Sequence, residues 1–160
     1  MKAFLSFLTL SFLPKSHDFG LLLLRVALGG GMMALHGWNK VQLLFGLGGW
    51  SNSKQQHAAK LKEVARSVDV FHLGGNWSLY ALVFAEVTCS ALLIIGFGTR
   101  FAALVLSFAM GVAFFVKNQH AIFDLNGELS ALYLAGFLVI LVTGPGKFAF
   151  DGGGPVGAKD

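Results

Sequence analysis

Charge is what this chain has least of. Asp, Glu, Lys and Arg make up 12% of its 160 residues, about half the ~25% of an ordinary soluble domain. Cysteine occurs once, as Cys89, which excludes an internal disulfide and a thiolate metal cluster. Within an apolar run, Cys89 reads as a small buried hydrophobe. The strand, glycine loop and helix order of a phosphate-binding loop is missing, as are a nucleophile elbow and an HExxH pair. No spacing of His, Cys, Asp and Glu is a zinc signature, so no metal site is expected. Bases outnumber acids by 12 to 8, for a net charge of +4. They are scattered between apolar runs rather than gathered in a patch, which points to lipid headgroups and away from nucleic acid.

What is present is apolar sequence, 55% of the chain. Four segments stand out, at 19–38, 77–97, 101–116 and 127–143. None has a clean polar face at helical period, so a soluble bundle would leave large apolar patches in water. The expected fold is therefore all-α, an antiparallel four-helix bundle in a membrane, with amphipathic interfacial helices. The N-terminal run 4–13 follows Lys2 and ends at Pro14. It is too short to span and lacks a small-residue cleavage site after it, so an interfacial helix is expected, with Asp18 capping the next helix. The segment 53–71, "SKQQHAAKLKEVARSVDVF", places Ala58, Leu61, Val64, Ala65 and Val68 three or four apart. That is one amphipathic helix, on the bilayer surface or capping the bundle. "GFGTR" is so short that it forces its two flanking spans antiparallel. Asn126 as a cap and Glu128 in the first turn lengthen the fourth span. Ala27 with Gly31, and Gly30 with Ala34, form small-xxx-small pairs suited to close helix packing.

Four spans put both termini on one side. The cations nearest span ends are Lys15, Arg100 and Lys147 there, against Lys40 and Lys117 opposite. Termini in the cytoplasm, in a cell inner membrane, are the expectation. At 1.5 Å per residue, Arg25 lies about 9 Å and Glu86 about 16 Å from the terminal-side ends of their spans. An extended arginine bridges that gap, so an Arg25–Glu86 pair inside the bundle is expected. It either fixes helix packing or makes Glu86 a proton-carrying or cofactor-contacting group. A second set gathers toward the opposite side: His36 and Lys40, four apart on one face, with His120, Asp124 and Glu128 across the bundle and His72 in the turn before the second span. Such a set suits a small anion, a quinone headgroup or a metal, though without a zinc spacing; the plain alternative is a hydrated loop with scattered polar residues.

The stretches "RVALGGGMMALHGWNKV" (25–41), "EVTCSALLIIGFGTRFAALVL" (86–106), "GELSALYL" (127–134) and "GPGKFAFD" (144–151) together resemble the DoxX family of small four-span membrane proteins. The resemblance matches Arg25, His36, Gly37 and Lys40, then Glu86, Gly96 and Arg100, then Gly144, Gly146 and Asp151. It implies a membrane subunit of a redox or respiratory complex, quinone-linked in some relatives. Joined to the reading of the residues themselves, this makes Arg25 and Glu86 the candidate catalytic pair, and His36 and Lys40, with His120 and Glu128 from the outer cluster, the candidate ligand-binding set. This sequence carries no flavin, haem or dithiol motif of its own, so the implied partners are other membrane subunits. Two other readings stand beside that one: a non-catalytic anchoring or assembly subunit, and a small-solute carrier enclosed by a homo-oligomer.

Overall fold

A computed structural model describes residues 17–47, 54–69, 71, 72, 74–117 and 124–152. Four long apolar helices run His17–Phe45 (α1), Asn76–Ile95 (α3), Thr99–Lys117 (α4) and Leu125–Thr143 (α5). A shorter helix, Lys54–Val68 (α2), joins the first two. The protein is an all-α, multi-pass membrane protein, with four spans among the described residues. The run at 4–13 and the tail beyond 152 lie outside the described residues.

Glycine sets where the helices stop. α1 ends at Gly46, whose φ of 64° suits a residue without Cβ. The next amide, of Leu47, reaches back to the Gln42 carbonyl at 3.0 Å. α3 ends the same way at Gly96 (φ 80°), with Phe97 N–H on the Leu92 carbonyl at 3.0 Å. Gly98, also left-handed, then launches α4 two residues later as its antiparallel neighbour. α1 runs seven residues past the expected end at 38, through Trp38–Phe45. α5 starts at Leu125 with Asp124 as its N-cap residue, so Asn126 is already inside the helix rather than capping it. Asp18 sits in the first turn of α1 and takes the backbone N–H of Lys147, 3.0 Å away.

The core is built from Met32, Cys89, Leu93, Ala102, Ala103, Leu106, Met110, Phe137 and Ile140. Outside it, Leu23, Phe101, Leu104, Phe108, Leu132 and Val142 are all more than half exposed. So much exposed apolar surface on every long helix is the lipid-facing shell of a membrane bundle. α1 meets α3 through Gly29 and Gly37. A Cβ at Gly29 would stand 2.9 Å from Ile94 and 3.0 Å from the Ser90 carbonyl oxygen, and one at Gly37 3.1 Å from the Glu86 carbonyl oxygen. Gly31 makes room for the Tyr133 hydroxyl, and Gly136 for Leu28. The pair Gly30–Ala34 makes no helix contact within the bundle: Gly30 faces open space and Ala34 is exposed.

α2 packs on the last turns of α1 and the first turns of α3. His57 Nε2 lies 2.7 Å from the Leu43 carbonyl oxygen, and Ala65 is buried. Away from the bundle it exposes Lys62, Glu63 and Arg66, with Lys60, also exposed, at the edge of the packed face. The amphipathic helix thus caps one end of the bundle.

The glycine assignments make a paired prediction for thermal unfolding in one detergent. Gly29→Ala crowds the Ser90 carbonyl and loses about 1–3 kcal/mol. Gly30→Ala, one position along, has room and gains up to about 1 kcal/mol from helix propensity.

Candidate functional site

The two ends of the bundle are built differently. At the α2 end a cavity of about 300 Å³ opens between the helices. Its polar walls are His36 and Lys40 from α1, Glu86 from α3, Lys117 from α4, and Asn126, Ser130 and Tyr133 from α5. Its apolar walls include Leu82, Met110, Val112 and Leu129, and α2 adds Ser67 and Val68.

At its centre Lys40 Nζ donates to Glu86 Oε2 at 2.6 Å. Glu86 is nearly fully buried and Lys40 keeps 20% of its side-chain surface. A carboxylate in the middle of a transmembrane helix is costly unless a cation meets it. The same ammonium donates to the His36 carbonyl at 3.3 Å. The His36 ring stands edge-on to Tyr133 with centroids 5.9 Å apart, and Tyr133 in turn stacks on Phe137. The Ser130 hydroxyl donates to the carbonyls of its own helix, Asn126 at 3.0 Å and Gly127 at 2.9 Å.

Three of the four spans widen into π-helical turns: Met32–Gly37 in α1, Phe84–Cys89 in α3 and Ala113–Lys117 in α4. Each contributes to this cavity, through His36, Glu86, and the pair Ala113 and Lys117. A π turn re-aims the following side chains and is often found where a helix carries a functional group. Within α1 it brings the Trp38 N–H onto the Met33 carbonyl, five residues back.

The terminal end is closed by residues 144–152, which lie across the helix ends. Arg25, wholly buried, donates from Nη2 to the Phe148 carbonyl at 2.8 Å. Its Nη1 rests on Gly96, where any Cβ would collide with it. Asp151 N–H bonds the Gly96 carbonyl at 2.9 Å, and its carboxylate takes the Thr99 N–H at 2.7 Å. That Thr99 amide, with further help from the Gly98 N–H and the Arg25 charge, holds the Asp151 carboxyl below its ordinary value.

A family model described as DoxX matches residues 20–119. The chain belongs to the DoxX family. No curated protein and no solved structure matches it significantly. The matched region covers α1 to α4 and both partners of the Lys40–Glu86 pair. The stretches at 127–134 and 144–151 lie beyond it.

In this DoxX protein the residues singled out from sequence separate. His36, Lys40 and Glu86 meet at the cavity. Arg25 does not pair with Glu86: its guanidinium sits against Gly96, ten residues from Glu86 or about 15 Å along α3. The reason is register. Gly37 packs on the Glu86 carbonyl, so α1 is displaced along its axis relative to α3, whereas the expectation had aligned the helix ends. Glu128 is exposed in the first turn of α5 and lines neither cavity. Asp124 and His72 are exposed as well. His120 lies outside the described residues. Sequence reasoning missed Tyr133 and Ser130, whose spacing on α5 (three apart, with Asn126 four before Ser130) marks one helical face. Among the described residues no three His, Cys, Asp or Glu side chains gather to hold a metal ion.

Two outcomes follow. Lys40→Met leaves Glu86 buried without its cation and lowers stability by about 3–5 kcal/mol, while the double replacement Lys40→Met with Glu86→Met recovers most of it; a double-mutant cycle of melting midpoints measures this. For Asp151 the folded carboxyl titrates below its ordinary 3.8, so its contribution is complete above that value and is lost as pH falls through the lowered one. Wild type therefore loosens in strong acid more than Asp151→Asn does, read as protease cleavage of the C-terminal segment against pH.

Proposed function

We propose that the cavity between α1, α3 and α5 holds the headgroup of a membrane-soluble quinone, and that this chain is the quinone-side membrane subunit of a redox complex. The observation that carries the reading is a ring-sized polar cavity inside a lipid-embedded bundle. About 300 Å³ is at the lower end of small-molecule sites, roughly 300–1,000 Å³: enough for one substituted ring and too little for a dinucleotide. The residues fit such a group. Lys40 and the Tyr133 hydroxyl donate toward a ring oxygen, while Met110, Leu82 and Leu129 cover its faces. Glu86, hydrogen-bonded to Lys40, is the group placed to take or return a proton when a ring oxygen gains or loses one. A quinone supplies the two-electron couple when bound. One buried cysteine offers no dithiol couple, so the electrons pass to or from a partner subunit.

In this reading Arg25 has no place at the reacting atoms and is a positioning residue for the terminal segment. The same reading has the termini on the cytoplasmic face of a cell inner membrane. Arg100 and Lys147 support that side, while Lys40, counted opposite, is drawn inward onto Glu86.

Calorimetric titration of the purified protein in lipid nanodiscs with a short-chain quinone tests this. Saturable binding is expected, weakened about fivefold by Tyr133→Phe for one lost hydrogen bond, and weakened by Glu86→Gln at a temperature where that variant, destabilised by the loss of its ion pair, is still folded. Absence of saturable binding to the wild type overturns the reading. Equal affinity in both variants moves the protein to an anchoring role.

A further inference from the structure

A second cavity, about 270 Å³, lies between the last turns of α1 and the capping helix α2. Leu35, Leu43 and Val64 form its apolar side; His36, Asn39, Lys40 and Lys60 form its polar side. We propose that this crevice seats the phosphate of an anionic phospholipid, with Lys60 and Lys40 as its cations.

Charge is the first argument. Two lysines line the crevice from different helices, and among the described residues no carboxylate lines it. Lys40 is compensated by Glu86 and supplies mainly a directed N–H. Lys60 supplies the net charge. Its ion-pair partner among the described residues, Glu63 at 3.2 Å, is three residues along the helix, and both side chains stay about half exposed or more. Such a pair is weak and exchanges readily for a better anion. Asn39 uses one amide N–H on the Leu35 carbonyl at 3.1 Å and keeps the other.

Position is the second argument. α2 exposes Lys60, Lys62, Glu63 and Arg66 and so cannot lie in hydrocarbon. It marks the headgroup zone, and the crevice it walls lies in that zone. The third argument is the shape of the lining. Leu35 is 66% exposed and continues the apolar wall of the crevice onto the lipid-facing surface of α1. A phospholipid covers that wall with its glycerol and acyl chain while its phosphate meets the lysines; a free phosphate leaves the wall bare. Lys40 lines both this crevice and the bundle cavity, so one ammonium is common to the lipid site and the Glu86 pair.

Native mass spectrometry of the purified full chain, delipidated and then given phosphatidylglycerol, phosphatidylcholine or inorganic phosphate, tests the assignment. The expected result is retention of phosphatidylglycerol about fivefold above phosphatidylcholine, the size of one interfacial cation's contribution. Lys60→Gln abolishes most of that preference. Val64→Trp, which fills the crevice without changing charge, does the same. Lys62→Gln, on the same helix but outside the crevice, leaves it intact. Equal loss in Lys60→Gln and Lys62→Gln overturns the proposal in favour of a diffuse basic surface. Displacement of the lipid by millimolar inorganic phosphate overturns it in favour of a soluble anion. Equal retention of the two lipids overturns it outright.

Discussion

A carboxylate halfway along a transmembrane helix must be met by a cation, and most of this architecture follows from how Glu86 is met. Lys40 reaches it from α1. For that reach, α1 and α3 must touch closely, and they do so at Gly29 and Gly37, where a side chain of any size would separate them. The touch at Gly37 fixes how far α1 has slid along α3. That slide carries Arg25 away from Glu86 to the level of Gly96, where a buried guanidinium needs other partners. The Phe148 carbonyl meets Nη2 and the Asp151 charge lies close enough to act on the guanidinium, while Nε and Nη1 have no hydrogen-bond partner among the described residues; the segment after α5 folds back over the helix ends and provides both contacts. One buried acid thus organises both ends of the bundle.

The ends have opposite characters as a result. The terminal end is stitched by main-chain hydrogen bonds among Gly96, Thr99, Phe148 and Asp151 and by Asp18 on Lys147. It holds geometry. The α2 end leaves room, because π turns in α1, α3 and α4 widen the helices where His36, Glu86 and Lys117 project. Functional groups on rigid helices, beside a closed and rigid opposite end, are suited to holding a small ligand in one orientation.

Much of the fold was legible in the sequence. Hydropathy placed all four spans to within a few residues except at the end of α1, and "GFGTR" named the tight antiparallel turn. Period-3.6 spacing found α2 to within three residues. These are local signals, and local physics decides them. The site was legible only in part. His36, Lys40 and Glu86 announced themselves as ionisable residues in apolar surroundings. Their pairing did not, because helix register comes from side-chain volume across an interface and not from distance to a span end. Gly30 and Gly29 look alike in sequence, yet only Gly29 touches α3. The π turns have no sequence mark here, and Tyr133 in an apolar helix reads as one more aromatic until the His36 ring is found against it.

The most direct test of this account is a solid-state NMR measurement of dipolar coupling between isotope-labelled lysine Nζ and glutamate Cδ in reconstituted bilayers. Glu86→Gln identifies the signal that belongs to residue 86. The account predicts a short lysine–Glu86 contact that disappears in Lys40→Met, and no coupling between Glu86 and a labelled arginine guanidinium. A Glu86 coupled to Arg25 instead, with Lys40 uncoupled, would contradict the helix register on which the cavity and both ends of the bundle depend.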